Sequence, residues 1–246
     1  MSRHEQLVYQ EIEACPYLPN RQACMPLRWQ MRPPTPDEFD ESLCEGDRRV
    51  GRMLYRTQCP SCNACEAIRV SVADFHPSKS LRRVWNSNQD VVVKLAPAVF
   101  SEDRLSMYNR HKIERGLSKT NRPMSRQSYD NWFLYSCADT REFRYFIDKK
   151  LVGISIVDFG RNDISSVYFF FDPDFSNRSL GTFSVLHEIN WMRERGMRYY
   201  YLGLYVEDCA NLNYKGRFYP HQRLINNKWH LFENAKTSRE KAPVVS

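Results

Sequence analysis

The sequence predicts an α+β protein, made of a small N-terminal α+β unit with a Cys-rich loop and a larger C-terminal unit. In residues 10–95, helix-start signals alternate with short apolar strands around a group of closely spaced cysteines. In residues 100–232, three β-rich segments lead into an amphipathic helix and a further strand. These patterns place two domains at 10–95 and 100–232. Residues 233–246 are charged and predict a loose tail.

The first unit begins with an irregular segment and a well-marked helix. Residues 15–36 are rich in Pro, Arg and Cys, which predicts extended, irregular backbone. Thr35 precedes Pro36 and two acidic residues, a pattern typical of a helix start, and Gly46 marks the end of that helix. The other predicted elements of this unit are strands at Arg52–Arg56, Ile68–Val72 and Val91–Leu95 and a basic helix at Lys79–Arg83.

The second unit begins with two predicted helices, at Glu102–Arg115, with Ser101 as its N-cap, and at Ser128–Tyr135. Three β-rich segments then predict an antiparallel meander, because short turn sequences separate them. These segments are Glu142–Ile147, Leu151–Asp158 and Ile164–Phe171.

A helix and a strand complete the second unit. Apolar residues at three-residue steps predict the buried stripe of a helix that continues to Arg195; they are Leu180, Phe183, Leu186, Ile189 and Met192. In the strand predicted at Tyr199–Leu202, Tyr199 and Tyr201 share one face and Tyr200 points the other way. A meander, a turn, a helix and a strand in this order are the layout of an acetyltransferase-like domain of the N-acetyltransferase (GNAT) type.

Composition and charge exclude several classes of protein. Aromatic residues make up 13% of the 246 residues, which excludes extensive disorder. No apolar run reaches the roughly 18 residues of a membrane span, and residues 1–13 lack the layout of a secretion signal. We therefore expect a cytoplasmic protein with no membrane partner. The net charge of +7 fits a partner rich in phosphate or carboxylate, or simply a solvated basic surface.

The cysteines predict a metal site. Cys59, Cys62 and Cys65 recur at three-residue steps, and Cys15 is a candidate fourth ligand. Thiolates with this spacing chelate Zn²⁺ or an iron–sulfur cluster well. The alternative is a stiff, Pro-containing loop whose thiols are reduced and unligated, as the cytosol keeps them.

Two basic regions are candidate anion sites. A helix start binds anions through its free N–H groups and its dipole, and Arg178 and Gly181 lie at the predicted start of the long helix. The match to a phosphate-binding loop is partial, so an ordinary helix start is the alternative. Arg82 and Arg83, beside Trp85, suit a single-stranded nucleic-acid end, as do the basic residues near the tyrosines of the second unit. Core packing is the alternative role for those tyrosines.

No catalytic residue is identified from the sequence. It has no Ser/His/Asp arrangement, no Walker-type loop and no zinc-protease motif. His187 has no identifiable partner and is interpreted as a packing residue, whereas the role of His221 is left open.

Eight motifs, four in each half of the chain, carry a resemblance to a known family. In the first half these motifs are Cys15–Pro19, Gly51–Arg56, Cys59–Cys65 and Phe75–Ser80. In the second half they are Tyr168–Pro173, Ser179–Leu186, Tyr199–Gly203 and Asn213–Phe218. Together they resemble the arginyl-tRNA–protein transferase family and, within it, its bacterial branch, the aspartate/glutamate leucyltransferases. The sequence departs from the family pattern at Cys24, Leu212 and Gly216.

The resemblance implies an enzyme that moves an aminoacyl group from its tRNA to the N-terminal amine of a protein beginning with Asp or Glu, which marks that protein for degradation by the N-end rule. Cys15–Pro19 looks bacterial, which favours Leu over Arg as the donor amino acid. The ester is already activated, so the chemistry requires neither a covalent intermediate nor a cofactor.

The acceptor carboxylate needs a cation, and its candidates are Lys79, Lys215, Arg217 and, failing these, Arg69. The candidate contacts to tRNA are Arg82, Arg83, Arg178 and Gly181. Two other functions remain open at this point: an acyl-CoA-dependent N-acetyltransferase, and a non-enzymatic, metal-stapled module that binds RNA.

Overall fold

The computed structural model describes residues 4–117 and 122–234, together with the backbone of 244–245. A small four-stranded sheet, of order β1-β4-β6-β5, and a two-stranded ribbon, β2-β3, come from the first 55 residues. Their strands are β1 (Glu5–Tyr9), β2 (Ile12–Ala14), β3 (Gln22–Cys24), β4 (Leu27–Gln30), β5 (Arg48–Val50) and β6 (Met53–Tyr55).

The other strands form one nine-stranded sheet of order β15-β14-β13-β7-β12-β11-β10-β9-β8. They are β7 (Glu66–Ser71), β8 (Val92–Pro97), β9 (Asp139–Ile147), β10 (Lys150–Phe159), β11 (Ile164–Phe171), β12 (Tyr199–Tyr205), β13 (His221–Ile225), β14 (Lys228–Phe232) and β15 (Val244–Val245). Among the strands of the described residues, only β11 and β12 pair in parallel. The protein is therefore mixed α and β, with an N-terminal sheet unit and a large C-terminal sheet.

The helices are α1 (Pro36–Cys44), α2 (Lys79–Asn86), α3 (Glu102–Glu114), α4 (Arg126–Tyr129), α5 (Leu180–Arg193) and α6 (Ala210–Asn213). A π-helical turn continues α4 over 130–134, and 3-10 turns occupy 173–178 and 214–217. The predicted start of α1 is confirmed, since Thr35 Oγ1 accepts from the Glu38 N–H at 3.3 Å and the Glu38 carboxylate accepts from the Thr35 N–H at 2.7 Å. The meander is confirmed as β9, β10 and β11.

Two parts of the sequence interpretation need correction. The segment 15–36 is not wholly irregular, because it contains β3 and β4. The hairpin β13–β14 was not predicted, although its turn is formed by Asn226 and Asn227 at positive φ, which is a hairpin signal. The predicted tail 233–246 lies mostly outside the described residues, and within it the backbone of 244–245 pairs with β14.

The core lies on both faces of the large sheet. On one face α5 and α2 cover an apolar cluster that includes Tyr200, and all five predicted stripe residues of α5 are buried there. On the other face Tyr201 packs beneath α1 with Trp229 and Phe39. The predicted alternation of the tyrosines in β12 is therefore confirmed.

The small sheet is joined to the large one by a buried ion pair. Arg49 Nε donates to Asp158 Oδ2 at 2.6 Å, and both side chains are at most 1% exposed. In addition, β7 lies between β12 and β13, so segments from both predicted domains share one sheet. No helix in the described part of the chain is long and apolar enough to cross a membrane.

Candidate functional site

The large sheet opens between β11 and β12. These strands pair only at Ile164 with Tyr200 and at Ser165 with Tyr201. Beyond that point β11 remains paired with β10, and β12 remains paired with β7. Their facing edges therefore border a gap, across which their N–H and C=O groups do not pair. Such a gap offers backbone hydrogen bonds to an extended ligand.

Arg48, from β5 of the small sheet, lies where this gap begins. Its Nη1 donates to Ser165 Oγ at 2.9 Å, and its Nη2 donates to the Ser166 carbonyl at 2.5 Å. The side chain is buried, and burial lowers the pKa of its guanidinium. The small sheet therefore supplies a buried cation to the gap in the large sheet.

Lys215 brings a second cation to the same place. Its Nζ donates to the Leu204 carbonyl of β12 at 2.8 Å. A Cβ added at Gly203, where φ is +97°, would lie 3.1 Å from Arg48 Nη2 and 3.4 Å from Lys215 Nζ. The absence of a side chain at Gly203 thus lets both cations lie close to the backbone of β12 and close to each other. Burial, and then the charge of Arg48, lower the pKa of Lys215 to about 7.

Two tyrosines stand beside these cations. The Tyr17 and Tyr55 hydroxyls share a hydrogen bond, and both phenols lie within electrostatic range of Arg48 and Cys65. Burial raises the pKa of each phenol, so that both hydroxyls stay protonated and can donate.

The cysteines proposed as metal ligands converge next to these tyrosines. Cys15, Cys59 and Cys62 lie within electrostatic range of Cys65, and together with burial, the larger cause, they raise the pKa of its thiol to about 12. The Cys24 N–H donates to Cys59 Sγ at 3.5 Å. The Cys-rich loop therefore borders the site.

The converging thiols do not form a coordination set. Within residues 4–117 and 122–234, no three His, Cys, Asp or Glu side chains are arranged to hold one metal ion. All eight cysteines are free thiols. Ligation of zinc or an iron–sulfur cluster by Cys15, Cys59, Cys62 and Cys65 stays a prediction, and no chemistry is derived from it.

The start of α5 lies beside the gap and is also positive. Ser179 caps the helix in the left-handed region without a side-chain hydrogen bond, and Gly181 follows against the Phe169 ring. Arg217 donates from Nη2 to Thr182 Oγ1 in the first turn. The helix dipole and the guanidinium therefore act together at this end of α5.

The candidate tRNA contacts follow α2, which lies antiparallel to α5. At the end of α2, Arg178 Nε donates to Asn88 Oδ1 at 3.2 Å. Before the start of α2, Arg193 from the last turn of α5 donates to the Phe75 carbonyl at 2.7 Å. The exposed cations on α2 are Lys79, Arg82 and Arg83.

This arrangement separates the predicted acceptor residues. Lys79 begins α2 and therefore lies near the end of α5, whereas Lys215 and Arg217 lie near its start. Arg69 is used inside the protein: its Nε donates to Gln222 Oε1 at 2.8 Å, and its Nη1 donates to the Tyr201 hydroxyl at 3.0 Å. Only Lys215 and Arg217 are brought together at the gap.

His187 is a packing residue as predicted, since its ring lies 6.1 Å from the Phe143 ring and 6.0 Å from the Tyr145 ring. The sequence leaves the role of His221 open. Its ring stacks on that of Phe232, with the ring centres 5.4 Å apart, and burial lowers its pKa to about 3.

Three residues of the site were not singled out from the sequence. Tyr17 and Tyr55 lie inside the motifs Cys15–Pro19 and Gly51–Arg56 that carried the family resemblance, so a signal for them existed. For Arg48 no comparable signal exists, because it falls outside every motif.

Comparison with known proteins identifies the family of the chain. Residues 13–83 match the family model described as Arginine-tRNA-protein transferase, N terminus, and residues 103–225 match the model described as Arginine-tRNA-protein transferase, C terminus. The chain is 34% identical to the Aspartate/glutamate leucyltransferase of Marinobacter nauticus over 87% of its own length and 91% of that relative. It is 34% identical to the protein of the same name from Pseudoalteromonas atlantica over 88% and 93%, respectively.

Among solved structures, L-PGS from Bacillus licheniformis is similar at a TM-score of 0.42, with 13% identity over 58% of this chain and 47% of that one. The two family models and the two relatives are decisive, and the chain belongs to the arginine-tRNA-protein transferase family.

Proposed function

We propose that this protein transfers Leu, rather than Arg, from its aminoacyl-tRNA to the N-terminal amine of proteins that begin with Asp or Glu. The names of its relatives support this reaction and its two substrates. The product would be a protein marked for degradation in the cytoplasm. The site would work without a cofactor, whether or not the cysteines bind a metal.

The opening between β11 and β12 is the observation that carries this proposal. It adjoins the start of a helix, as in an acetyltransferase-like layout, and the backbone groups of its two strand edges do not pair with each other across it. An aminoacyl ester placed in the gap could be attacked directly by the acceptor amine. Backbone N–H groups at the gap could then donate to the oxyanion of the tetrahedral intermediate, a role that commonly makes a large contribution to acyl transfer.

The acceptor amine must lose a proton before it attacks. Its unperturbed pKa is roughly 7.7–8.0, so much of it is protonated at neutral pH. In the proposed reaction the gap aligns the amine with the ester. Alignment alone lowers the activation free energy by about 7–11 kcal/mol in the best intramolecular cases. The leaving group is the ribose hydroxyl of the tRNA.

Exposed cations support the tRNA part of the proposal. Lys79, Arg82 and Arg83 lie exposed along α2, and the exposed Arg217 and the half-buried Arg178, which is paired with Asp90, continue this set to the start of α5. A polyanion bound along α2 could therefore place its terminal residues at the gap.

One transfer experiment tests the proposal. The protein is incubated with leucyl-tRNA or arginyl-tRNA and a peptide that begins with Asp, and the gain of one Leu or Arg residue is sought by mass spectrometry. Acetyl-CoA replaces the charged tRNA in a parallel sample, because an N-acetyltransferase would then add an acetyl group. Binding of uncharged tRNA with no product from any donor would identify an RNA-binding module instead.

A further inference from the structure

Two cations of the candidate site lack a carboxylate partner. Within the described part of the chain, Arg48 and Lys215 form no ion pair with Asp or Glu. Asp158 lies within electrostatic range of Arg48, but its Oδ2 accepts from Arg49 at 2.6 Å and its Oδ1 accepts from Thr140. Both oxygens of this carboxylate therefore already accept hydrogen bonds from other side chains.

Three other buried arginines have carboxylate partners: Arg28 pairs with Asp47 at 2.6 Å, Arg49 with Asp158 at 2.6 Å, and Arg223 with Glu66 at 3.1 Å. Arg69 has no carboxylate partner within the described residues, but its guanidinium lies 3.8 Å from the centre of the Tyr199 ring and 4.0 Å from that of Trp229. Buried charges are normally paired in this way, because a buried charge without a partner loses its hydration and gains nothing in exchange. Arg48 departs from that rule, and it departs from it beside a second cation.

The pair Arg48 and Lys215 fits one small anion. The guanidinium has five N–H groups, and within the described residues its hydrogen bonds go to the Ser165 hydroxyl and the Ser166 carbonyl. Repulsion between the two cations falls when an anion lies between them, and charge-assisted hydrogen bonds to a carboxylate are about twice as strong as neutral ones. Both cations approach the backbone at Gly203, so one anionic group beside them can contact both.

The surroundings favour a carboxylate over a nucleic-acid phosphate. The Tyr17 and Tyr55 phenols stand beside Arg48, and the small sheet covers this end of the gap. A phosphate within a polynucleotide chain needs an open surface with room for its neighbours, such as the exposed face of α2. The carboxylate at the end of a single side chain needs room only beside the two cations.

We infer that Arg48 and Lys215 together bind the side-chain carboxylate of the acceptor's N-terminal residue, and that Arg48 is the specificity-determining residue for Asp and Glu. This inference rests on the proposed function, because it assigns a role within that reaction. It places the acceptor contact in the small sheet as well as in the large one.

The test compares peptides that begin with Asp and with Asn, which have the same shape but differ in charge. For wild-type protein, kcat/KM should strongly favour Asp. In Arg48→Gln, kcat/KM for the Asp peptide should fall about 100-fold, whereas the low value for the Asn peptide should change little. Lys215→Met should also lower kcat/KM for the Asp peptide. Arg48→Lys should give a value between those of wild type and Arg48→Gln. Lys228→Met, in the exposed β13–β14 turn, is the matched control.

Two results would overturn the inference. One is an equal loss of kcat/KM for Asp and Asn peptides in Arg48→Gln, which indicates a general structural role. The other is a loss of tRNA affinity in Arg48→Gln, measured by filter binding with charged tRNA, which indicates a phosphate contact. If Arg48→Gln does not fold, as judged by circular dichroism, the same comparison is decided by Arg48→Lys and Lys215→Met.

A binding measurement separates this inference from the proposed function. Calorimetric titration of the protein with Asp and Asn peptides, in the absence of tRNA, needs no transfer. If wild-type protein transfers nothing but binds the Asp peptide better, and Arg48→Gln removes that difference, the pocket is supported and the proposed reaction is wrong. Equal binding of both peptides by wild-type protein contradicts the pocket itself.

Discussion

Arg48 and Arg49 are neighbours in β5, and both are buried, yet they meet opposite surroundings. Arg49 forms an ion pair with Asp158 and also donates to the Trp132 carbonyl at 3.1 Å. The hydrogen bonds of Arg48 go to the hydroxyl of Ser165 and the carbonyl of Ser166, with Lys215 close by. One cation is therefore compensated by a carboxylate within the fold and the other is not. The difference teaches that a buried cation which lacks a carboxylate and lies beside a second cation points to an anion site, whereas a compensated one holds elements together.

The largest expected effect concerns stability. Arg49→Ala leaves Asp158 buried and without its cation, and breaking such a pair typically lowers the free energy of unfolding by about 3–5 kcal/mol. Arg48→Gln should lower it much less, because that change also removes an uncompensated charge. Urea denaturation of both variants measures the contrast, and equal losses would break the comparison.

Glu188 tests the same idea for a buried acid. Its carboxylate accepts from the Tyr145 hydroxyl at 2.6 Å and from the Tyr200 hydroxyl, and burial raises its pKa to about 7. The folded state therefore holds this proton more tightly than the unfolded state does. The contribution to stability is complete below pH 4.5 and is lost as pH rises through about 7, by up to about 1.4 kcal/mol per pH unit.

The check is the difference in unfolding free energy between wild type and Glu188→Gln from pH 4.5 to 8. The unfolding free energy of wild type should fall relative to that of Glu188→Gln as pH rises, since Gln cannot ionise. Groups shared by both proteins cancel. Parallel pH profiles would show that the carboxyl group ionises at its ordinary pKa.

Lys215 should make acceptor binding depend on pH. The groups that face its amine are the Leu204 carbonyl, Arg48 and Cys209; burial and Arg48 lower the pKa to about 7, against a smaller opposing effect of Cys209. A bound carboxylate favours the protonated amine, so binding takes up a proton and affinity falls as pH rises above about 7, by at most tenfold per pH unit.

Calorimetric titration with an Asp peptide, in two buffers of different ionisation enthalpy, measures this proton uptake. Lys215→Met is the control, because the acceptor amine also titrates near pH 8 and its contribution stays in both proteins. An unchanged pH dependence in Lys215→Met would assign all of it to the peptide.

The smallest effect distinguishes free from compensated surface cations. Arg82→Ala and Arg83→Ala should each reduce the slope of log K for tRNA against log salt by about 0.7–0.9, one phosphate contact apiece. Arg178 forms an ion pair with Asp90 and should contribute less. Filter binding at several salt concentrations measures the slopes. If Arg178→Ala changed the slope more than Arg82→Ala and Arg83→Ala did, the distinction would be contradicted.

Local signals predicted the fold where neighbouring residues determine it. Thr35 and Ser101 cap their helices as their sequence contexts indicate. The three-residue apolar step located α5, which ends at Arg193, two residues earlier than expected. Turn residues located the meander. In each case the signal and the structure lie within a few residues of each other.

The rest of the site depends on distant pairing, which such signals do not contain. Arg48 lies in a three-residue strand and meets Ser165, 117 residues later in the chain. Neither the length of β5 nor its composition indicates which strand it will approach. Lys215 and Arg217 lie near each other because they share one motif, whereas Lys79 belongs to another motif and lies near the other end of α5. The role of all three in acceptor binding stays a prediction.

The place of β7 in the sheet also affects how the protein is made. Its two neighbours are β12 and β13, and β12 begins about 130 residues after β7 ends. At ~5–20 residues per second of synthesis, β7 leaves the ribosome on the order of ten seconds before the first of these neighbours. During that interval an apolar strand waits with both edges unpaired, as an exposed template for aggregation. Production without chaperones should therefore lower the soluble yield of this protein more than that of one whose sheets close in chain order.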